Sequence, residues 1–163
     1  HHINCQIKNT TAMTLNPSLK YIPEFRLEKV KSNLKKTQIK DLGTAIDFCR
    51  KFWSTDISIY ESMFILLLDN ASNVLGYAKI SQGGIIGTVV DPRIIYQYAA
   101  LSMASSAIIC HNHPSGRVNP SLSDKNVTKL LKKGLQEICN CRLVDHLIIT
   151  EKSYYSFAKK GKI

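Results

Sequence analysis

The chain lacks several features that would assign it to a class quickly. No apolar run approaches the roughly 20 residues of a membrane-spanning helix, so no membrane partner is expected. No stretch reads as a signal peptide. Its five cysteines, Cys5, Cys49, Cys110, Cys139 and Cys141, are odd in number and irregularly spaced, which excludes a disulfide framework. Cys49, Cys110 and Cys139 fall in apolar runs, where free cysteine behaves as a small buried hydrophobe, and this suits a reducing cytoplasm. Cys139-Asn140-Cys141 has no second pair to complete a structural zinc site. Internal repeats and low-complexity segments are absent. Acidic residues are scarce: 12 against 22 lysines and arginines, for a net charge of +10. That excess favours anionic partners, nucleic acid first, and is silent about fold.

What is present fits one domain with a sizeable core: 163 residues, 44% hydrophobic. His1-His2 is of the kind an expression tag leaves and enters no functional argument. Residues 1–38 show little periodicity. Pro17, Pro23 and scattered lysines suggest a basic, partly ordered arm, either a solvated leader or a segment that lies on nucleic acid or a second subunit. The domain then spans 39–163. Helical spacing of Leu42, Ala45, Ile46 and Cys49 predicts a helix over 39–53, with Trp53 in the core. Met63–Leu68 is continuously apolar, as in a strand covered on both faces. A turn at Asn70–Asn73 and an antiparallel partner at Val74–Ser81 follow, then a short strand over Ile85–Val90. Asp91-Pro92 is a strong helix start, and the helix it opens is apolar enough to be buried throughout. Ser106–Cys110 is of strand type. A helix beginning near Asp124 carries Val127, Leu130, Leu131, Leu135 and Ile138 on one face and Lys125, Lys129, Lys132, Lys133 and Gln136 on the other. Leu143–Thr150 and Tyr154–Phe157 complete the strands. The mixture predicts an α/β layered domain with a mixed sheet flanked by helices.

The chemistry is concentrated in His111-Asn112-His113-Pro114-Ser115-Gly116-Arg117-Val118-Asn119-Pro120-Ser121-Leu122-Ser123-Asp124. On an extended chain His111 and His113 point to one side and Asn112 to the other. Two imidazoles and a carboxylate are the ligand set of a catalytic zinc, whose fourth position is left to water. A bare His-x-His pair is also a common polar surface feature. The spacing of His111, His113, Pro114, Gly116, Pro120, Ser121 and Asp124 resembles the JAMM motif of the JAB/MPN metalloprotease fold, and Asn112 with Ser115 makes it most similar to the bacterial RadC branch. The resemblance runs from about Ile57 to the C-terminus.

That resemblance implies a cytidine-deaminase-like α/β fold and a Zn2+ ion held by His111, His113 and Asp124. It implies Glu61 as general base, at the head of a Glu-x-x segment leading into the apolar strand, and Ser121 as donor to the oxyanion. Read alone, Glu61 is a surface glutamate at a strand end, and Ser121 a serine that starts a helix. Glu137 and Glu151 are expected far from the site. Asn112 and Ser115 are expected to shape the loop. Asp145-His146 is either a buried strand pair or support behind the ligands. Relatives implied by the resemblance often carry His-Pro-Arg-Glu where this chain has Asp91-Pro92-Arg93-Ile94, and residues 3–56 hold no counterpart of their helix-hairpin-helix segment. The expected activity is hydrolysis of an amide or isopeptide bond in an unidentified peptide or protein. A DNA-repair-associated protein that binds nucleic acid through its arm and lysine face is the alternative.

Overall fold

The computed structural model describes residues 22, 28–53, 55–83 and 90–163. Most of the expected basic arm, and the strand expected over 85–90 apart from its last residue, lie outside them. Val90 itself is not in a strand. The chain divides into two compact units, 1–35 and 36–163. Among the described residues, every regular element lies in the second.

Its elements run α1 (Leu42–Arg50), β1 (Ser62–Leu68), β2 (Val74–Gln82), α2 (Pro92–Ser102), β3 (Ser106–Asn112), α3 (Leu122–Cys139), β4 (Arg142–Ile149) and β5 (Tyr154–Ser156). The five strands form one sheet in the order β2-β1-β3-β4-β5. Strand β3 is parallel to β4 and antiparallel to β1, so the sheet is mixed. Ahead of α1, Ile39 N–H donates to Ser72 O at 2.8 Å and Thr37 O accepts from Val74 N–H at 2.9 Å, tying 37–39 to the β1–β2 turn.

Helix starts follow local chemistry. The Asp41 side chain accepts the Thr44 N–H at 2.7 Å, and Asp91 accepts the Arg93 N–H at 3.0 Å with Pro92 in the first turn. Strand β1 is buried along its whole length, as its unbroken apolar run requires. Met63, Ile65 and Leu67 join Ala107, Ile109 and Leu143 in a core with Ile95 and Ala99 of α2 and Leu131 and Leu135 of α3. Phe64 turns to the opposite face, where its ring meets Phe52 at 4.8 Å and Trp53 at 5.0 Å. Trp53 is buried, as expected.

Two helices are less buried than their composition predicts. In α2, Ile95, Tyr98 and Ala99 are buried while Leu101 is exposed; Met103, which caps the helix in the left-handed conformation at φ 54°, is 85% exposed. In α3, Leu130 and Ile138 are exposed, and the covered stripe is the narrower Asp124, Thr128, Leu131, Gly134 and Leu135. Tyr96 explains part of this. Its ring lies over Gly134, where a Cβ would collide with the Tyr96 hydroxyl oxygen, so α2 packs on α3 at the glycine. The four lysines of α3 are exposed, as expected. Among the described residues no helix is long and apolar enough to cross a membrane.

Candidate metal centre

The topology gathers the site at one edge of the sheet. Because β1 runs antiparallel to β3, the start of β1 lies beside the end of β3, and Met63 pairs with His111. Glu61, just before β1, therefore reaches the edge at which the histidines leave β3. The helix α3 begins there too. Ser121 is its N-cap and Asp124 its third residue, joined in a capping box: Ser121 Oγ accepts the Asp124 N–H at 3.1 Å, and Asp124 Oδ2 accepts the Ser121 N–H at 2.6 Å. The capping thus fixes the rotamer of a candidate ligand.

His111 Nε2 lies 3.0 Å from His113 Nε2 and 3.3 Å from Asp124 Oδ1, and His113 Nε2 lies 3.6 Å from Asp124 Oδ2. Ligand atoms about 2.0–2.1 Å from a tetrahedral ion sit about 3.3 Å from one another. The two separations from His111 Nε2, 3.0 Å and 3.3 Å, lie near that edge length, whereas the 3.6 Å contact of His113 is to the other Asp124 oxygen. Ser121 donates both its N–H and its hydroxyl, the latter at 2.7 Å, to Asp124 Oδ2, which leaves Oδ1 as the oxygen available to an ion.

The hydrogen bonds behind the rings decide which nitrogens carry lone pairs. His113 Nδ1 donates to the Arg117 carbonyl at 2.7 Å, so its Nε2 is free. His111 Nδ1 is 2.8 Å from His146 Nε2, and His146 Nδ1 is 2.7 Å from Thr128 Oγ1. Burial, and then charge at His111, hold His146 well below the ordinary histidine range. The Nε2 atoms of both rings and a carboxylate thus converge on one point, an arrangement suited to a cation. The hydrogen bond to Asp124 raises the His113 pKa against the opposing effect of burial, with help from the Arg117 carbonyl and the charges of Asp124 and Glu61. Burial acts to raise the Asp124 carboxyl, but the His111 and His113 rings beside it outweigh burial and hold the group well below the carboxylate range.

Each predicted residue has a definite place. His111, His113 and Asp124 come together with their ligand atoms all within 4.8 Å. Glu61 lines a cavity of about 760 Å³ with His113, Pro114, Ser115, Arg117 and Asn119. Asn112 points away from the cluster and braces the 57–62 segment instead, its amide donating to the Ile57 and Tyr60 carbonyls at 2.6 and 2.7 Å. Asp145 and His146 separate, as neighbours on a strand do. His146 faces the cluster, while the Asp145 carboxylate accepts from the Ser156 hydroxyl at 2.5 Å and clips β5 to β4. The expectation that Glu151 is remote needs correction. Ser58 Oγ donates to Glu151 Oε1 at 2.9 Å, and Glu151 lines a second cavity of about 200 Å³ beside His113. The connections around 58 and 151 fold toward one another, which their places in the sequence do not announce.

A mixed-sheet α/β domain with a His-His-Asp cluster at a strand end and helix start defines a class of candidate metal-binding proteins. The family model described as the RadC-like JAB domain matches residues 39–162, and the chain belongs to that family. It is 45% identical over 102 residues to a UPF0758 protein of Flavobacterium johnsoniae, an alignment that covers 63% of this chain and 44% of that one. It is 40% identical over 102 residues to a UPF0758 protein of Pseudomonas fluorescens (63% and 45% covered). It is 38% identical over 104 residues to one of Shewanella pealeana (64% and 46% covered). The chain thus spans less than half the length of these curated relatives.

Proposed function

We propose that the domain is a zinc-dependent hydrolase of amide or isopeptide bonds. The observation that carries this reading is the convergence of His111 Nε2, His113 Nε2 and the Asp124 carboxylate beside a cavity that Glu61 and His113 line. Three protein ligands leave a fourth tetrahedral position for chemistry. Zinc held there would supply Lewis acidity and lower the pKa of water toward neutrality. The oxygen and nitrogen donors also suit other divalent ions, and the absence of cysteine ligands separates the set from structural zinc sites.

The chain's own residues supply the rest. Glu61 takes the proton of the attacking water and returns it to the leaving nitrogen. Its backbone is held on both sides: Gly83 N–H donates to Glu61 O at 2.9 Å, and Ser62 N–H donates to Asn112 Oδ1 at 2.8 Å. Ser121 holds the Asp124 carboxylate, and its hydroxyl serves the oxyanion by turning from Oδ2 toward substrate. The cavity, with Arg117 and Asn119 among its polar groups, is wide enough for an extended peptide segment.

Metal analysis of the purified chain beside His113→Ala tests the reading. The expected result is close to one zinc per chain in the wild type and none in the variant; equal zinc in both removes the ligand assignment. A second reading, binding to DNA, is favoured by the exposure of Lys125, Lys129, Lys132 and Lys133 along one helix in a chain of net charge +10.

A further inference from the structure

Resting on the metal-centre reading above, we infer that Thr128 and His146 form a positioning relay that keeps the His111 proton on Nδ1 and so presents Nε2 as a ligand. The bonds form a closed circuit. Asp124 supplies a carboxylate to the cluster and, from its backbone, the carbonyl that accepts the Thr128 hydroxyl at 2.5 Å. Thr128 Oγ1 meets His146 Nδ1 at 2.7 Å, and His146 Nε2 meets His111 Nδ1 at 2.8 Å. His111 then returns to Asp124 through the cluster.

The far end of the circuit sets its direction. A carbonyl oxygen only accepts, so the Thr128 hydroxyl proton must lie toward Asp124. Were that proton aimed at His146 instead, two oxygen lone pairs would face each other at the same 2.5 Å. Thr128 Oγ1 therefore accepts from His146 Nδ1–H. His146 is fully buried and stacked on Phe157, and its two ring nitrogens meet a hydroxyl oxygen and an imidazole nitrogen, neither of them a carboxylate, so the ring carries one proton, on Nδ1, and its Nε2 accepts from His111 Nδ1–H. The lone pair of His111 is left on Nε2, the atom that faces His113 and Asp124.

Two features separate this from an ordinary local bond. A helical threonine often bonds back to the carbonyl four residues earlier, and that alone would be a habit of the helix. Here the same oxygen also takes a ring proton from β4, a different element. The rings are also fixed in orientation: His146 stacks on Phe157 with centroids 4.9 Å apart and planes 9° from parallel, and His111, His146 and Thr128 are all buried. A water molecule has no access to replace a lost partner.

The test uses the full chain, Thr128→Val, which keeps the shape and removes the hydroxyl, and Thr128→Ser, which restores it. Cobalt(II) affinity is measured by competition with a chelator. Removing an outer partner of a ligating histidine typically costs about 10- to 100-fold in affinity; Thr128 acts through that partner, His146, so a loss at the lower end, about tenfold, is expected for Thr128→Val, with recovery in Thr128→Ser. Long-range proton–nitrogen NMR of the metal-free wild type, labelled at histidine and held at alkaline pH, reads the His111 tautomer without any variant. A proton on Nδ1 is expected. A proton on Nε2, or a folded Thr128→Val chain with wild-type cobalt affinity, overturns the relay. A wild type that takes up no cobalt overturns the metal reading instead, and the tautomer then decides the relay by itself.

Discussion

Asn112 Oδ1 accepts the backbone N–H of Ser62 at 2.8 Å, so the residue between the two candidate ligand histidines holds the residue that follows Glu61. The amide also donates to the Ile57 and Tyr60 carbonyls, which uses both of its donors on the segment that leads into β1. Asn112 and Ser62 are both fully buried. Water cannot stand in for the bond to Ser62, which is buried.

Asn112→Ala should therefore destabilise the fold by about 1–3 kcal/mol, since it strands the buried Ser62 N–H. Asn112→Asp is more informative. Its carboxylate still accepts from Ser62 but cannot donate to the two carbonyls. Chemical denaturation should show reduced stability in both variants. Metal content, set by side chains on the other face of β3, should survive in any fraction that folds. A stability equal to wild type would show that the 57–62 segment is held by other means.

Much of this arrangement is legible in the sequence because it depends on local signals. The run Met63–Leu68, the Asp91-Pro92 start and the fixed gaps from His111 to Asp124 each report on their own neighbourhood, and each lies in the element expected of it. His146 and Thr128 are different. Their meeting depends on the register of β3 with β4, which sets Ile109 against His146, and on the phase of α3. A signal is available in part: Thr128 lies four residues after Asp124, on the same helix face, and His146 is a polar residue in an apolar strand. The place of Glu151 is not legible, because the fold joins two connections that are remote in the chain. Leu130 and Ile138 fit the apolar stripe of α3 by spacing, but the sheet and α2 cover a narrower stripe than spacing alone suggests.

Metal affinity should rise with pH across the neutral range. His113 has a pKa raised above the ordinary histidine value, chiefly by its hydrogen bond to Asp124, so in the folded metal-free chain it holds a proton that an ion must displace. Below that raised value, apparent affinity should fall by about tenfold for each pH unit and each proton displaced. Cobalt titrations between weakly acidic and weakly alkaline buffers would show the slope. In the metal-free chain the same shift favours folding below the raised pKa, and this contribution disappears as pH climbs through it. An affinity independent of pH would mean that no proton shares the site.

If α3 binds nucleic acid, converting Lys125, Lys129, Lys132 and Lys133 to glutamate should abolish binding to duplex DNA. Single substitutions should each flatten the salt dependence, by roughly 0.9 in the logarithmic slope for every phosphate that is no longer neutralised. Titrations at several salt concentrations measure this directly. DNA affinity unchanged in the fourfold variant would return these lysines to the role of a solvated surface.

The choice of general base rests between two carboxylates at the same sheet edge. Glu61 lines the larger cavity with His113, and its charge helps to raise His113. Glu151 lines the smaller one and is engaged by the Ser58 hydroxyl. A base must reach the proton that it abstracts, and it must stay outside the ligand set, since a fourth protein ligand would close the site. Glu61→Gln keeps the shape of the side chain and removes the basic oxygen. That variant should retain its fold and its metal and lose about 100-fold or more in cleavage of a fluorogenic peptide or isopeptide that the wild type hydrolyses, the usual order for a general base. Glu151→Gln should stay within a few-fold of wild type in the same assay. The opposite ranking would move the base to Glu151. Loss of metal from Glu61→Gln would make Glu61 a ligand and end the argument for an open fourth position, whereas full activity in both variants would leave the proton transfer to a group other than these two carboxylates.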